Sequence, residues 1–489
     1  MVSAPDRDLT EKNPPSPKDF SGEAALARLG LSFTDWAERW FPDAYVFVCL
    51  AVAIVAVAAM LNGASPTSVA KSFGDGYWSL ITFTMQMVVV VIGGYVVASS
   101  PPVAKVIDRL AALPRKGARA VAFVAALSML TSLLSWGFSL IFSGLLVRAL
   151  ARRADLRMDY RAAAAAAYLG LGATWALGLS SSAAQLQANA ASLPKSLLQI
   201  TGVIPFSETI FLWQSLVIAL LLIVISTVLA LLSAPSDAKA LTAQMMNVQP
   251  EQTQANQLPT QKRPGEWLEY SPLLSVIVVA LGGGWILQEF TSKDPVLAIS
   301  NLNTYNLLFL MLGALLHWRP RSFLNNVAKA VPATGGVLIQ FPLYGAIATI
   351  LTSAKGFGGH TVADRITDAF VNLTTPGTFP VAMGMYSAVL GFFIPSGGGK
   401  WIIEAPYVMQ AANDLKVHLG WAVIIYNTAE ALPNLINPFW MLPLLGVLGL
   451  KARDVVGFTF LQLLVHLPVV LFLLWLFAPT LIYHPPAIP

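Results

Sequence analysis

Runs of about twenty apolar residues, parted by short clusters of charge, recur along the whole of this 489-residue chain. A helix of that length matches the hydrocarbon layer of a bilayer, and in water such runs would leave no polar face for solvent. Hydrophobic residues make up 56% and Asp, Glu, Lys and Arg only 11%, less than half the roughly 25% charge of a soluble globular chain. A set of soluble domains is therefore excluded, and an all-α polytopic membrane protein is expected. The 30 basic and 25 acidic residues give a net charge of +5. No basic stripe interleaved with aromatic residues exists to meet nucleic acid, so no nucleic-acid partner is expected and the excess is read as topology. Cys49 stands alone, so no intrachain disulfide or multi-cysteine metal centre can form, and neither a metal nor a cofactor is expected. Residues 1–43 hold no short apolar core beside a cleavage site, and the first span is expected to stay in the mature protein.

Residues 1–20 are polar and proline-rich and read as a disordered cytoplasmic arm. Over residues 21–41, Leu26, Leu29, Phe33, Trp36 and Trp40 recur at steps of three and four, which predicts an amphipathic interfacial helix. Spans follow at residues 44–60, 78–98, 162–189, 210–232, 273–287, 305–316, 332–351, 419–440 and 455–477, nine crossings in all. Two further apolar stretches, 120–147 and 379–412, are interrupted at their centres by Ser135-Trp136-Gly137 and by Pro395-Ser396-Gly397-Gly398-Gly399. These read as re-entrant hairpins. The domain plan is a first transmembrane repeat at 42–232, a cytoplasmic linker at 233–271, a linking helix at 272–290, a second repeat at 298–478 and a tail at 479–489.

Lysine and arginine gather on the cytoplasmic side of short loops. With a cytoplasmic N-terminus and both hairpins returning to the side they enter, 23 basic residues fall inside and 6 outside, Lys400 lying within a hairpin. If each hairpin crossed, the split would be 16 to 13, so re-entry is preferred. The chain also matches itself weakly: Val69-Ala70-Lys71 with Val327-Ala328-Lys329, and Met85-Gln86-Met87 with Ile339-Gln340-Phe341. Each half then has four crossings and a hairpin, and the single extra span between them turns the second half over, giving an inverted repeat. Secondary transporters with such repeats and broken helices bind substrate near the bilayer midplane and work by alternating access.

Non-helical backbone at membrane depth needs cover from protein or from a water-filled cavity. Ser396, Gly397, Gly398 and Gly399 leave amides accessible at the start of a helix, an arrangement that seats an anion, with Lys400 as a cation at its edge. The alternative is that Glu404, four residues on, neutralises Lys400 across a plain glycine turn. The broken span of the second half carries Asn427, Thr428, Glu430, Asn434 and Asn437 beside Pro433 and Pro438; its counterpart carries Ser180, Ser181, Ser182, Gln185, Gln187 and Asn189. Ser135 and Gly137 at the first hairpin, with Ser181, Ser182, Asn427 and Thr428, complete the expected substrate site, and Glu430, Asn434 and Gln185 are the candidates for a coupling ion. Ser132, Ser139, Gln86 and Gln340 are as easily explained by helix packing, and His466 by a carbonyl partner. Gly397-Gly398-Gly399-Lys400 is followed by Trp401 where a phosphate loop needs Ser or Thr, and neither HExxH nor GxSxG occurs, so no enzyme is expected.

The motifs Phe41-Pro42-Asp43, Gly74-Asp75-Gly76-Tyr77-Trp78, Trp136-Gly137-Phe138, Gln340-Phe341-Pro342, Pro395-Ser396-Gly397-Gly398-Gly399 and Pro438-Phe439-Trp440 together resemble the bacterial short-chain fatty acid transporter family. The family includes the acetoacetate and butyrate permeases, and the resemblance runs from about Trp36 to about Phe477. It is similar to a wider superfamily of anion carriers in which two hairpin tips meet broken helices. The resemblance implies a homodimer in the lipid of a bacterial inner membrane, its N-terminus cytoplasmic. It implies secondary active transport of a short-chain carboxylate such as acetoacetate or butyrate, coupled to H⁺ or Na⁺. A channel-like or exchange-type permease for other organic anions is the alternative.

Overall fold

The computed structural model describes residues 44–236, 239–248, 263–393, 396–437 and 439–487. The expected arm at 1–20, the interfacial helix at 21–41, Pro395 and Pro438 lie outside the described residues. Among the described residues all regular structure is helical.

The first half comprises α1 (Ala44–Leu61), α2 (Pro66–Ser79), α3 (Ile81–Ala98), α4 (Pro101–Ala111), α5 (Gly117–Ser132), α6 (Trp136–Ala151), α7 (Tyr160–Leu169), α8 (Ser182–Gln187) and α9 (Trp213–Ser233). After α10 (Leu273–Ser292) come α11 (Leu302–His317), α12 (Pro320–Ala330), α13 (Gly335–Ser353), α14 (Val362–Leu373), α15 (Phe379–Phe393), α16 (Gly397–Asp414), α17 (Leu419–Ala431), α18 (Leu442–Leu448) and α19 (Ala452–Phe477). Among the described residues six helical segments are long and apolar enough to cross a bilayer: Ile81–Ala98, Tyr160–Gln187, Trp213–Ser233, Pro264–Ser292, Gly335–Ser353 and Ala452–Thr480. The chain is therefore a membrane protein.

Packing follows the same order in both halves. α6 lies on α3 and α4, as α16 lies on α13 and α14; α5 packs against α7 and α9, as α15 packs against α17 and α19. The halves also interlock, α1 resting on α13 and α11 on α3, while α8 reaches α16 and α18 reaches α6. Thus the return arm of each hairpin touches the far side of the other half's broken helix. α10 packs on α11 and is otherwise almost uncovered by the rest of the chain.

α7 runs through the middle of the molecule, and the segment Tyr160–Gln187 is 94% buried. Its six consecutive alanines, Ala162 to Ala167, are all buried; with no atoms beyond Cβ they let α5, α6 and α19 approach closely. Asp159 starts the helix, accepting the amides of Arg161 and Ala162 at 3.0 Å each, and its carboxylate also accepts the amide of Leu241 at 3.1 Å. Part of the segment read as a linker is thereby docked onto the first half. His466 of α19 is held as its helix-packing alternative requires, 2.7 Å from the Ser226 hydroxyl and 2.6 Å from the Gln462 carbonyl.

Asp159 is only 2% exposed, so Asp159→Ala removes a helix cap and leaves buried amides without an acceptor. A loss of about 2 kcal/mol is expected, seen as a lower unfolding temperature of the purified protein in detergent.

Candidate functional site

Both hairpins turn on a serine. The Ser135 hydroxyl accepts the Phe138 amide at 3.3 Å and begins α6; the Ser396 hydroxyl accepts the Gly399 amide at 3.2 Å and begins α16. A capped helix still has first-turn amides with no intrahelical acceptor, and these carry its partial positive charge. At α16 they belong to Gly397 and Gly398, since the first intrahelical bond runs from the Lys400 amide to the Ser396 carbonyl.

The two tips meet the two breaks. α7 unwinds through a π turn at Gly170–Thr174 and a 3-10 turn at Trp175–Leu177 before α8, and α17 passes through a 3-10 turn at Leu432–Leu435. Freed polar groups are bonded across the junctions. The Leu179 amide donates to the Leu133 carbonyl at 2.7 Å, and the Trp136 amide to the Ser180 hydroxyl at 2.9 Å. In the other half the Tyr426 hydroxyl donates to the Gly397 carbonyl at 2.6 Å, and Asn437 Nδ2 to the Phe392 carbonyl at 2.9 Å.

A narrow cavity of about 30 Å³ lies where these parts converge. That is room for one or two waters. Its polar rim is formed by Ser396, Gly397 and Gly398 of the second tip, Ser182 of α8 and Asn434 of the second break. Its walls are Trp136, Trp175, Phe341 and Trp440, with Met87, Leu171 and Val337. Trp136 is the first residue of α6 and Gly397 the first of α16, so the N-termini of two long helices face one small space. The glycines make this approach possible. A Cβ on Gly397 would lie 2.3 Å from the Trp175 ring, on Gly398 2.7 Å from the Phe83 ring, and on Gly399 2.0 Å from the Tyr344 ring.

Glu430 stands directly behind the second tip, its Oε2 3.2 Å from where a Gly397 Cβ would be. It is 1% exposed, and among the described residues neither carboxylate oxygen has a hydrogen-bond partner. The same holds for both amide atoms of Asn427, Oδ1 of Asn434, the Ser181 hydroxyl, Oε1 of Gln185 and the Trp175 indole N–H. Each buried polar atom left this way costs about 1–3 kcal/mol. So many at one junction mark a site whose polar groups serve something besides the fold.

Of the residues singled out in the sequence, Ser396, Gly397, Gly398, Ser182 and Asn434 line the cavity. Gly399 packs on Tyr344, Gly137 lies against α3, and Ser135 is occupied as a cap. Thr428 donates back to the Ile424 carbonyl at 2.7 Å, and Gln185 Nε2 to the Leu179 carbonyl at 2.8 Å. Lys400 is fully buried and turned into its own hairpin: Nζ lies 2.7 Å from Glu404 Oε1, donates to the Ser387 carbonyl at 3.1 Å and sits 4.2 Å from the centre of the Tyr426 ring. Glu404 in turn accepts from the Ser387 hydroxyl. The Glu404 alternative thus describes the geometry of Lys400, and the polar groups that the second tip shows to the cavity are those of Ser396, Gly397 and Gly398. Gln86 is tied to Asn303 and Ser192, Gln340 to Tyr344, Ser132 to the Met129 carbonyl and Ser139 to the Ser128 carbonyl. The aromatic wall was not foreseen as such, although Trp136, Phe341 and Trp440 all fall inside motifs already quoted.

Away from the cavity, Glu208, His418 and His484 bring ligand atoms within 4.8 Å of one another. His418 Nδ1 accepts the Trp421 amide at 3.0 Å, which puts the ring proton on Nε2 and leaves that ring no lone pair for a metal. Burial, with His484 beside it, pushes His418 down to about 4.

A helical membrane protein in which hairpin tips and interrupted helices enclose a small cavity with aromatic walls and a polar rim has the build of a transporter. This chain belongs to the short-chain fatty acid transporter family, whose profile matches residues 25–477. A protein of Escherichia coli (strain K12), provisionally named a short-chain fatty acid transporter, is 33% identical over 440 residues, 90% of this chain and 97% of that one. A second of the same provisional name, from Haemophilus influenzae, is 29% identical over 449 residues, 91% of this chain and 98% of the relative. In fold the chain is similar to MtrF of Neisseria gonorrhoeae, described with a class of antimetabolite efflux pumps, at 14% identity and a TM-score of 0.57, covering 94% of this chain and 100% of that one.

Gly398→Val would drive a branched side chain into the Phe83 ring and Ser182. Transport of a labelled short-chain fatty acid should fall at least tenfold in protein that still inserts and elutes as a single species; uptake at the parent rate would show the triglycine tip to be a turn only.

Proposed function

We propose that the protein is a secondary active transporter of short-chain monocarboxylates, acetoacetate and butyrate among them, working by alternating access in a bacterial inner membrane. Support comes first from the membership of the chain in its family. The cavity supplies the chemistry: the first-turn amides of Gly397 and Gly398 at the start of α16 suit a carboxylate, while tryptophan and phenylalanine walls suit a short alkyl tail. The two matching successions of helices are best read as inverted repeats, with α10 as the odd helix that turns the second half over and the N-terminus in the cytoplasm. Hairpins of opposite origin then close the cavity from opposite sides, and exchange of which tip opens is the transport step.

The observation that carries the coupling is the nearness of Glu430 to that anion seat. An ionised glutamate about 4 Å from a bound carboxylate would oppose it by about 4 kcal/mol at an effective dielectric constant of about 20. Carrying one anion into a negative cell costs about 2.3 kcal/mol more per 100 mV. A proton on Glu430 removes both penalties. It is taken from external water onto the carboxylate oxygen and returned to cytoplasmic water after the substrate leaves. Sodium among the unpartnered oxygens of Glu430, Asn427 and Asn434 is the competing arrangement.

Glu430→Gln keeps the shape without the titratable group. In proteoliposomes, uphill butyrate uptake driven by a proton gradient should drop at least tenfold while butyrate exchange stays within threefold of the parent; sodium-driven accumulation of parent strength in this variant would refute the proton assignment. Orientation is tested separately with single cysteines in a Cys49-free background. Positions 154 and 355 are both exposed, and an impermeant thiol reagent added to intact cells should label Lys355→Cys but not Ala154→Cys.

A further inference from the structure

Beyond Glu430, two more ionisable groups lie fully buried at the same depth and take no part in the site so far described. Lys400 and Glu404 are both 0% exposed, form a 2.7 Å ion pair on α16, and both fall within electrostatic reach of Glu430 on α17. Tyr426, one turn before Glu430 on α17, lies under the Lys400 ammonium, and a Cβ placed on Gly391 of α15 would be 3.5 Å from both Lys400 Cε and the Glu430 carbonyl. The other titratable groups facing this cluster are the phenols of Tyr168 on α7, Tyr344 on α13, Tyr386 on α15, Tyr407 on α16 and Tyr426 on α17. All are uncharged at neutral pH. The cluster therefore holds one positive and two potentially negative groups.

Unbalanced charge inside a membrane protein is costly, and a buried cluster relaxes to neutrality by gaining or losing protons. We propose that Lys400, Glu404 and Glu430 form one charge-balanced unit that binds a single exchangeable proton per cycle, the Lys400–Glu404 pair serving to hold the stoichiometry at one. The proton is available because Glu404 already satisfies the lysine. Without Glu404, the ammonium would turn to Glu430 and neutralise it, and no proton would be needed. Without the whole pair, Glu430 would again need its own. Lys400 is thus a positioning residue for the coupling proton, acting through Glu430. This assignment rests on the proton-coupled reading above and adds to it a count that the reading alone does not give.

The test is the ratio of protons to butyrate, measured in proteoliposomes loaded with a pH-sensitive dye, with butyrate exchange recorded in the same vesicles. The parent is expected at about one proton per substrate. Glu404→Gln should exchange butyrate but fall to less than a fifth of a proton per substrate, and Glu404→Asp should restore the ratio to about one. The double substitution Lys400→Met with Glu404→Gln, which removes both charges together, should also give about one. A merely structural ion pair would lower exchange and proton movement in proportion, leaving the ratio unchanged in Glu404→Gln; that result overturns the proposal. So does a double variant that exchanges butyrate without moving protons, which remains decisive should Glu404→Gln fail to insert. A parent that exchanges butyrate but moves no proton would instead defeat the coupling reading, and a parent that exchanges no butyrate would defeat the substrate reading.

Discussion

Backbone amides and carbonyls freed inside a bilayer have no water to turn to, and the rest of this structure depends on where they find partners. Two buried helices are broken along their length, and each break is bonded to the tip of a helical hairpin that is itself a break in helix. Neither part could stay in the hydrocarbon alone. The hairpins exist to complete the broken helices as much as the reverse. Because the bonds join separate segments, the same pairing that makes the breaks affordable gathers four interruptions around one point.

That convergence leaves a cavity lined, among the described residues, by no ionised side chain. The partial positive charge at its rim comes from the first-turn amides of Gly397 and Gly398 at α16, which are fixed in space by the Ser396 cap and by close packing on Trp175 and Phe83. Lys400 stays tied to Glu404 within the hairpin and does not line the cavity.

Much of the fold was legible in the chain because lipid imposes a length and polarity rule that few other environments do. The apolar runs, the interruptions at Ser135 and Ser396, and the polar residues of the broken spans all mark themselves by breaking that rule. What escaped was direction. Lys400 reads equally as a binding cation or as the partner of Glu404, since helical spacing permits both and only packing against Ser387 and Tyr426 decides. Thr428 was singled out for its hydroxyl, yet a threonine in a helix can satisfy itself on the carbonyl four residues back, and here it does. The aromatic wall was hidden for another reason: Trp136 and Phe341 lie in motifs noted for their breaks and polar neighbours, and an indole or phenyl ring in an apolar chain looks the same whether it lines a cavity or faces lipid.

The six buried alanines of α7 carry a consequence for how the protein is made. A helix whose side chains end at Cβ gains little on entering hydrocarbon, and this span includes Asp159 and Arg161 at its start and a run of serines beyond its break. Of the spans that follow the first hairpin, α9 is by far the more apolar. During synthesis α9 is the segment the insertion machinery would accept readily, and α7 the one it would release reluctantly. Membrane integration of the centre of the molecule therefore awaits its neighbours, and the order in which the ribosome delivers them becomes part of the folding code.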